Sequence, residues 1–318
     1  MTDATMTKNA AGHPAITGLR LVFGGNVFGW TIDRDQSFRV LDAFYVAGGR
    51  MIDSAEGYSS WIPGNKGGES ETIIGEWVEA RGVRADMRIA TKTGMGGPPN
   101  SYHADKVAAA LEGSLNRLRT DYVDIYYAHR DDHTTPLDEL VTAFDDAASQ
   151  GKAREIGASN YTADRLRALL DTAARLGAKP VTVFQPEYNL VMRAEYEGAL
   201  QDLCVARGIA VLPFYGLASG FLSGKYRKPE DIVGHPRAFA LKEAAAHGGW
   251  DVLKVLDGIV RDTGATHAEI ALAWLNAQPG IAAPLASATS IEQLDQLVAA
   301  VSLTLEPAQI AALDAAAG

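Results

Sequence analysis

Short apolar, β-branched runs alternate along this chain with longer stretches whose apolar positions recur every three or four residues. The short runs are Arg20–Phe23, Arg50–Asp53, Arg88–Thr91, Asp124–Ala128, Ala153–Ala158, Val181–Gln185, Ala210–Pro213 and Ile281–Leu285. Their length and composition predict strands. The longer stretches predict helices. Gln36–Ala47 carries Phe38, Leu41, Phe44 and Tyr45 on one face, Glu69–Arg81 carries Ile73, Ile74 and Trp77, and Ala104–Leu118 carries Val107, Leu111, Leu115 and Leu118. Leu137–Gln150, Thr162–Leu176 and Ala194–Arg207 continue the series. Gly151, Gly177 and Gly208 follow them, where a helix C-terminal glycine sits.

Strands separated by helices imply βαβ crossovers and a parallel sheet. Eight such units match a (β/α)8 TIM barrel in a single domain. An open doubly wound sheet is the competing architecture, but no Gly-x-Gly-x-x-Gly follows the first strand. The repeat lengthens before the last strand, where Tyr226–Trp250 is rich in Pro, Gly and charge and reads as an insertion (226–250) near the barrel mouth. Residues 1–16 read as a flexible N-terminal lead-in to a barrel spanning 17–318, and Pro307–Ala317 as an extra C-terminal helix.

The net charge of −10 argues against nucleic acid as a partner, because phosphate binding needs clustered Lys and Arg. A single cysteine, Cys204, allows no intrachain disulfide and fits a reducing cytoplasm. No stretch approaches the ~20 apolar residues of a membrane span, so no membrane partner is expected. A homo-oligomer is left open.

In barrels of this kind the active site is built where strands end and βα loops begin. Asp53 closes the second expected strand, Lys92 the third, His129 the fourth, Asn160 the fifth and Gln185 the sixth, with Phe214 and Tyr215 after the seventh. Tyr58 lies in the loop after the second. Each has an ordinary reading alone: Asp53 as a cap, Tyr58 as a packing residue, Lys92 as a solvated charge, His129 as a rim histidine. Together they form a coherent acid. A ketone accepting hydride develops negative charge on oxygen and needs a proton. A tyrosine pKa near ~10 is lowered by a neighbouring ammonium. Lys92 supplies that charge, Asp53 holds Lys92, and His129 bonds the same carbonyl oxygen.

At these residues the sequence resembles the aldo-keto reductases. The matching segments are Met51–Tyr58, Gly68–Glu71, Ile89–Lys92, Ser114–Leu118, Asp121–Asp124 with His129, Ile156–Asn160, Gln185–Asn189 and Leu217–Tyr226, in order over roughly residues 18–300. The resemblance implies a carbonyl reductase, reversible, with a catalytic tetrad at Asp53, Tyr58, Lys92 and His129. It implies NADPH/NADP+ as cofactor, bound without a Rossmann domain, with NADH as the alternative. Ser159, Asn160 and Gln185 would hold the nicotinamide amide. Gly25, Asn26 and Asp53 would pass close to the cofactor, Phe214, Tyr215 and Gly216 would lie against it, and Leu217, Ser219, Gly220, Leu222 and Lys225 would wrap the pyrophosphate.

Two departures stand out. The family usually has a tyrosine stacked on nicotinamide where this chain has Phe214. Many relatives carry an arginine for the 2′-phosphate where this chain reads Ser287, Ala288, Thr289, Ser290, and Leu297 stands where an adenine-contacting asparagine is common. Ser287, Thr289 and Gln293 near a helix start are the remaining phosphate candidates, or simple capping residues. Trp30, Trp61 and Arg130 are placed to line a pocket for a small carbonyl or alcohol. The acids and histidines fit no common metal pattern. Two rival functions remain: a cofactor-binding regulatory subunit with little turnover, like the potassium-channel subunits among the relatives, and a Schiff-base aldolase using Lys92.

Overall fold

A computed structural model of the chain describes residues 16–95, 101–235 and 237–316. Strand and helix alternate: β1 (Val22–Gly24), α1 (Arg34–Val46), β2 (Met51–Asp53), α2 (Glu69–Arg81), β3 (Arg88–Thr93), α3 (Ala104–Leu118), β4 (Val123–Ala128), α4 (Leu137–Ser149), β5 (Ala153–Ser159), α5 (Ala163–Leu176), β6 (Val181–Gln185), α6 (Ala199–Arg207) and β7 (Ala210–Val211). Then come α7 (Ala238–Ala244), α8 (Trp250–Thr263), α9 (His267–Ala277), β8 (Leu285–Ala286), α10 (Ile291–Ser302) and α11 (Pro307–Ala316).

The strands pair in parallel in the order β7-β6-β5-β4-β3-β2-β1-β8. The ring closes through the segment leading into β8. Val211 bridges Ile281, Ala282 N donates to Val211 O at 2.9 Å, and Leu285 N donates to Pro213 O at 2.9 Å. The chain is a (β/α)8 barrel in a single domain.

Several expected boundaries shift, each for a local reason. The eighth strand, expected over Ile281–Leu285, is regular only at Leu285–Ala286. The segment changes neighbours midway, Ile281 meeting β7 and Leu285 meeting β1, and Pro284 has no N–H to donate. β7 likewise stops at Val211, short of Pro213. α6 begins at Ala199 rather than Ala194, because Gly198 takes φ 83°, ψ −126° and a turn from Arg193 to Tyr196 precedes it. The interval 226–250 holds a tight turn at Pro229–Ile232 and α7, and runs into α8. The lead-in, except Ile16, lies outside the described residues; Ile16 itself is buried against the barrel interior.

Two apolar cores hold the fold. The larger fills the space between the barrel and its helices. The smaller fills the barrel interior with Val22, Met51, Ala90, Ile125, Tyr127, Val183, Ala210, Leu212 and Ala283 among others. Strand side chains alternate between the two. Every second residue along β2, β3, β4 and β6 therefore points inward, and the last inward positions are Asp53, Lys92, His129 and Gln185. Apolar below and polar at the rim, the interior becomes a closed floor under a reactive mouth. Gly157 on β5 makes the floor fit: a Cβ there would overlap the Tyr127 ring.

Candidate active site

The loop after β2 brings Tyr58 back over the barrel. Tyr58 N donates to Ala55 O at 3.1 Å, and Ser59 follows in left-handed backbone, φ 70°. The buried Ser59 hydroxyl donates to Phe28 O at 2.8 Å, and Asn65 Nδ2 donates to Gly29 O at 3.0 Å and Ser59 O at 3.1 Å. These bonds tie the loops after β1 and β2 together. They also stand Trp30 edge-on to Trp61, ring centroids 5.3 Å apart, and Trp61 edge-on to Tyr58 at 6.3 Å.

Under Tyr58 lies a buried ion pair. Lys92 Nζ meets Asp53 Oδ2 at 2.5 Å, with both side chains 0% exposed. Lys92 Nζ also donates to Ser54 O at 2.7 Å and to Tyr58 Oη at 2.8 Å. The ammonium's three protons are therefore spent on a carboxylate, a carbonyl and the phenol. Asp53 Oδ1 accepts from Gln185 Nε2 at 2.9 Å, and Tyr58 Oη lies 3.4 Å from Asp53 Oδ2. The Tyr58 and His129 rings stand 6.1 Å apart. Asp53, Tyr58, Lys92 and His129 thus converge from three strand ends and one loop.

The electrostatics depart from the sequence expectation at Tyr58. Burial, then the Asp53 carboxylate and the Tyr215 phenol, hold its hydroxyl well above the usual tyrosine range. The neighbouring ammonium does not reverse this, because Asp53 sits on the same ammonium and the pair presents little net charge to the phenol. Tyr58 therefore holds its proton at neutral pH. Burial pushes the Lys92 ammonium down, opposed chiefly by the Asp53 charge. The His129 ring, buried and facing Lys92 and Arg130, is pushed down to about 2 and is neutral. A neutral imidazole has one N–H donor and one acceptor nitrogen, and its buried Nδ1 has no protein partner among the described residues.

Around this centre lie the residues expected to hold a nicotinamide cofactor. The Ser159 hydroxyl donates to Gln185 O at 2.7 Å, locking β5 to β6. Asn160 takes left-handed backbone, φ 58°, and its Nδ2 donates to His129 O at 2.8 Å and Ser159 Oγ at 3.1 Å. The Asn160 amide oxygen takes part in neither bond, which leaves an acceptor suited to a carboxamide NH2. Phe214 packs on the inner core, its ring 5.1 Å from Tyr215, whose carbonyl accepts from Asn189 Nδ2 at 3.1 Å. Tyr215, Ala218, Ser219 and Gly220 all have positive φ, so the chain coils tightly through this run beside Gly216 and Leu217. Leu222 is buried in the core, which leaves only its backbone for the expected cofactor contact, while Lys225 is exposed.

The far end is already bonded to itself. The Ser287 hydroxyl donates to Asn26 Oδ1 at 2.6 Å, linking β8 to the turn at Gly25. Gln293 Oε1 accepts from Thr289 N at 2.9 Å and Thr289 Oγ1 at 3.0 Å, and Ser290 caps α10. Leu297 is buried. The residues present fit a nicotinamide well; among the described residues the first turn of α10 carries no Lys or Arg for a 2′-phosphate, and Arg39 reaches this end only through Gln36, whose Nε2 donates to Thr289 O at 3.0 Å. Of the residues expected to line a substrate pocket, Trp61 is half exposed, Trp30 lies under the Arg237 guanidinium at 5.1 Å, and Arg130 is exposed.

A model of the Aldo/keto reductase family matches residues 20–317. The chain belongs to the aldo/keto reductase family. Its relatives include an aryl-alcohol dehydrogenase (NADP(+)) from Phanerodontia chrysosporium, 28% identical over 88% of this chain and 75% of that protein. A probable voltage-gated potassium channel subunit beta from Arabidopsis thaliana is 32% identical over 89% of this chain and 87% of its own. An L-glyceraldehyde 3-phosphate reductase from Escherichia coli (strain K12) is 31% identical over 73% and 70%. As a member of this family the chain is an oxidoreductase of the carbonyl–alcohol type.

Strand-end reasoning missed Ser54, whose carbonyl receives the Lys92 ammonium, and Tyr127, whose ring lies beneath it with Nζ 5.9 Å from the centroid. The alternation Ile125, Tyr127, His129 along β4 carries the signal for Tyr127. Ser54 acts through its backbone, which no side-chain pattern reports. Gln185, expected to hold only cofactor, also holds Asp53.

Proposed function

We propose that the protein reduces an aldehyde or ketone to an alcohol, reversibly, with Tyr58 as general acid and NADPH as cofactor. The carrying observation is the chain of contacts from Asp53 to Lys92 to the Tyr58 hydroxyl at the barrel mouth. When bound, the dihydronicotinamide supplies the hydride. Tyr58 gives its proton to the carbonyl oxygen as charge develops there. The Lys92 N–H directed at Tyr58 Oη then stabilises the phenolate, and Asp53 keeps Lys92 aimed. Neutral His129 donates its one N–H to the same carbonyl oxygen, which orients the substrate without adding a charge. General acid catalysis of this kind contributes ~10²–10⁴-fold, and oriented donors add to it. The aromatic wall of Trp30 and Trp61 supports carbonyl substrates with an apolar or aromatic flank.

NADPH is supported by the aryl-alcohol dehydrogenase (NADP(+)) among the relatives. Among the described residues the first turn of α10 carries no Lys or Arg, which supports weak discrimination against NADH. The test is oxidation of NADPH and NADH with a panel of aldehydes and ketones, wild type against Tyr58→Phe. Loss of roughly 10²-fold or more in kcat, with cofactor binding retained, is expected. An unchanged chemistry-limited rate in Tyr58→Phe overturns the mechanism. The channel-subunit relative favours one second reading, a cofactor-binding regulatory subunit. Tight cofactor binding with negligible turnover across the panel would move the assignment there.

A further inference from the structure

Two segments prominent in the sequence, Gly68–Glu71 and Ser114–Leu118, take no part in the chemistry above. In the fold they meet. Glu71, wholly buried in the first turn of α2, accepts from Arg117 Nε of α3 at 2.7 Å and from the hydroxyl of Thr91 on β3. Gly68, at φ 87°, leaves room for the Arg117 side chain, which a Cβ would overlap. Thr91 is the neighbour of Lys92 on β3 and points to the opposite side of the strand. One residue earlier, the Ser70 hydroxyl donates to Gly25 O at 2.8 Å and meets the buried Ser54 hydroxyl at 2.9 Å. Ser54 is the residue whose carbonyl accepts from Lys92 Nζ.

Both supports of the ammonium, the strand that carries it and the carbonyl that receives it, therefore hang from one helical turn. A buried carboxylate and its partner cost desolvation, and apolar side chains of similar volume often hold a helix to a sheet as well or better. The polar version at this place calls for another reason. We propose that Ser70 and Glu71 are positioning residues for Lys92. Ser70 fixes the Ser54 carbonyl, and Glu71 holds β3 through Thr91 and sets a second negative charge behind the strand, opposite Asp53. The inference rests on the reading of Lys92 as the partner of the acid Tyr58.

The groups facing Lys92 are Asp53 from β2, Tyr58 from the following loop, and Tyr127 and neutral His129 from the β4 side, while Glu71 with its partner Arg117 lies behind β3 in the helix layer. The carboxylate of Glu71 favours the ammonium, less strongly than Asp53 does. Glu71→Gln removes that charge and leaves Arg117 unpaired; both changes disfavour the ammonium.

The test follows the Lys92 ammonium in proton–nitrogen spectra of 15N-lysine-labelled protein, its signal assigned by loss in Lys92→Arg. In Glu71→Gln its titration is expected to move to lower pH, with the alkaline limb of the kcat profile moving the same way. Thr91→Val, near-isosteric and sparing both charges, is expected to lower kcat severalfold with KM little changed and the alkaline limb in place. Should Glu71→Gln fail to fold, Thr91→Val and Ser70→Ala carry the test through the kcat-against-KM split. A Glu71→Gln protein that only melts lower, with the Lys92 titration and kcat profile of the wild type, overturns the inference. So does wild-type kcat in both Thr91→Val and Ser70→Ala. If the wild type reduces no carbonyl yet the Lys92 signal shifts in Glu71→Gln, the assigned reaction falls and the positioning role stands.

Discussion

Replacing Asp53 by Asn tests the centre of the site without reference to any substrate. Asp53 accepts from Lys92, Gln185 and Tyr58, and it and Lys92 are wholly shielded from solvent. The substituted amide keeps an acceptor oxygen but loses the charge, so Lys92 is left as a buried ammonium without its carboxylate. Breaking a buried pair from one side costs ~3–5 kcal/mol. A chain of 318 residues unfolds with an entropy of ~670 cal/mol/K, at ~2.1 cal/mol/K per residue. The melting temperature is therefore expected to fall by ~4–8 °C at pH 7. Lys92 has one escape, to release its proton. Burial already favours that and Asp53 chiefly opposes it, so the deficit in Asp53→Asn shrinks as pH rises and Lys92 becomes neutral. Lys92→Met leaves the Asp53 carboxylate with Gln185 and Tyr58 as donors, and the double variant removes both charges. The double variant is expected to be more stable than the two single losses predict, by ~0.5–3 kcal/mol. Calorimetric melts of the four proteins at pH 7 and pH 9 measure all of this. An Asp53→Asn protein melting within ~1 °C of wild type at pH 7, with additive effects in the double variant, would refute the reasoning.

Gly157→Ala puts a methyl into the Tyr127 ring and is expected to cost ~1–3 kcal/mol by urea unfolding, partly recovered by a smaller residue at position 127. Burial, with Glu243 and Glu195 nearby, raises the Glu187 carboxyl to about 7. Its folded-state proton affinity then exceeds that of the unfolded chain near ~4.3, so its contribution is full below that pH and lost as pH rises through about 7. Thermal melts of Glu187→Gln should match wild type near pH 4 and exceed it at pH 8; equal curves at both would show that Glu187 is not strained. Gln293→Arg supplies a cation at the start of α10, and a charge-assisted bond to a 2′-phosphate is worth ~1.5–3 kcal/mol. The KM for NADPH should fall ~10-fold or more while that for NADH stays level. A parallel fall in both would place the 2′-phosphate elsewhere.

Legibility in the sequence followed physical range. Helices such as α2 and α3 are legible to the residue, because their apolar faces repeat within one turn. β8 was displaced because its boundaries depend on which neighbour each half meets. α7 lies inside the interval 226–250, marked only by Pro, Gly and charge, and α8 and α9 fill the stretch between it and Ile281, to which the periodicity reading assigns no helix. At the site, Asp53, Lys92, His129 and Gln185 were legible as polar residues ending apolar runs. The depth of burial around them was not, and burial is what raises Tyr58, lowers His129 and makes the Asp53–Lys92 pair costly to break. The expectation that Lys92 lowers the Tyr58 pKa places Asp53 on Lys92 but leaves out the burial of the phenol and the field of the Asp53 carboxylate on it.

What the sequence by itself determined is the alternation of elements, the barrel, the family, and the polar residues gathered at the strand ends. All are set by short-range periodicity or by residue identity at a position. The tertiary structure alone decided how the ring closes at Ile281–Ala286, that Ser54 offers its carbonyl to Lys92, that α2 backs β3 through Glu71, and which proton stays on which group. Those outcomes depend on distance and on exclusion of water between residues far apart in the chain, and no linear pattern records either.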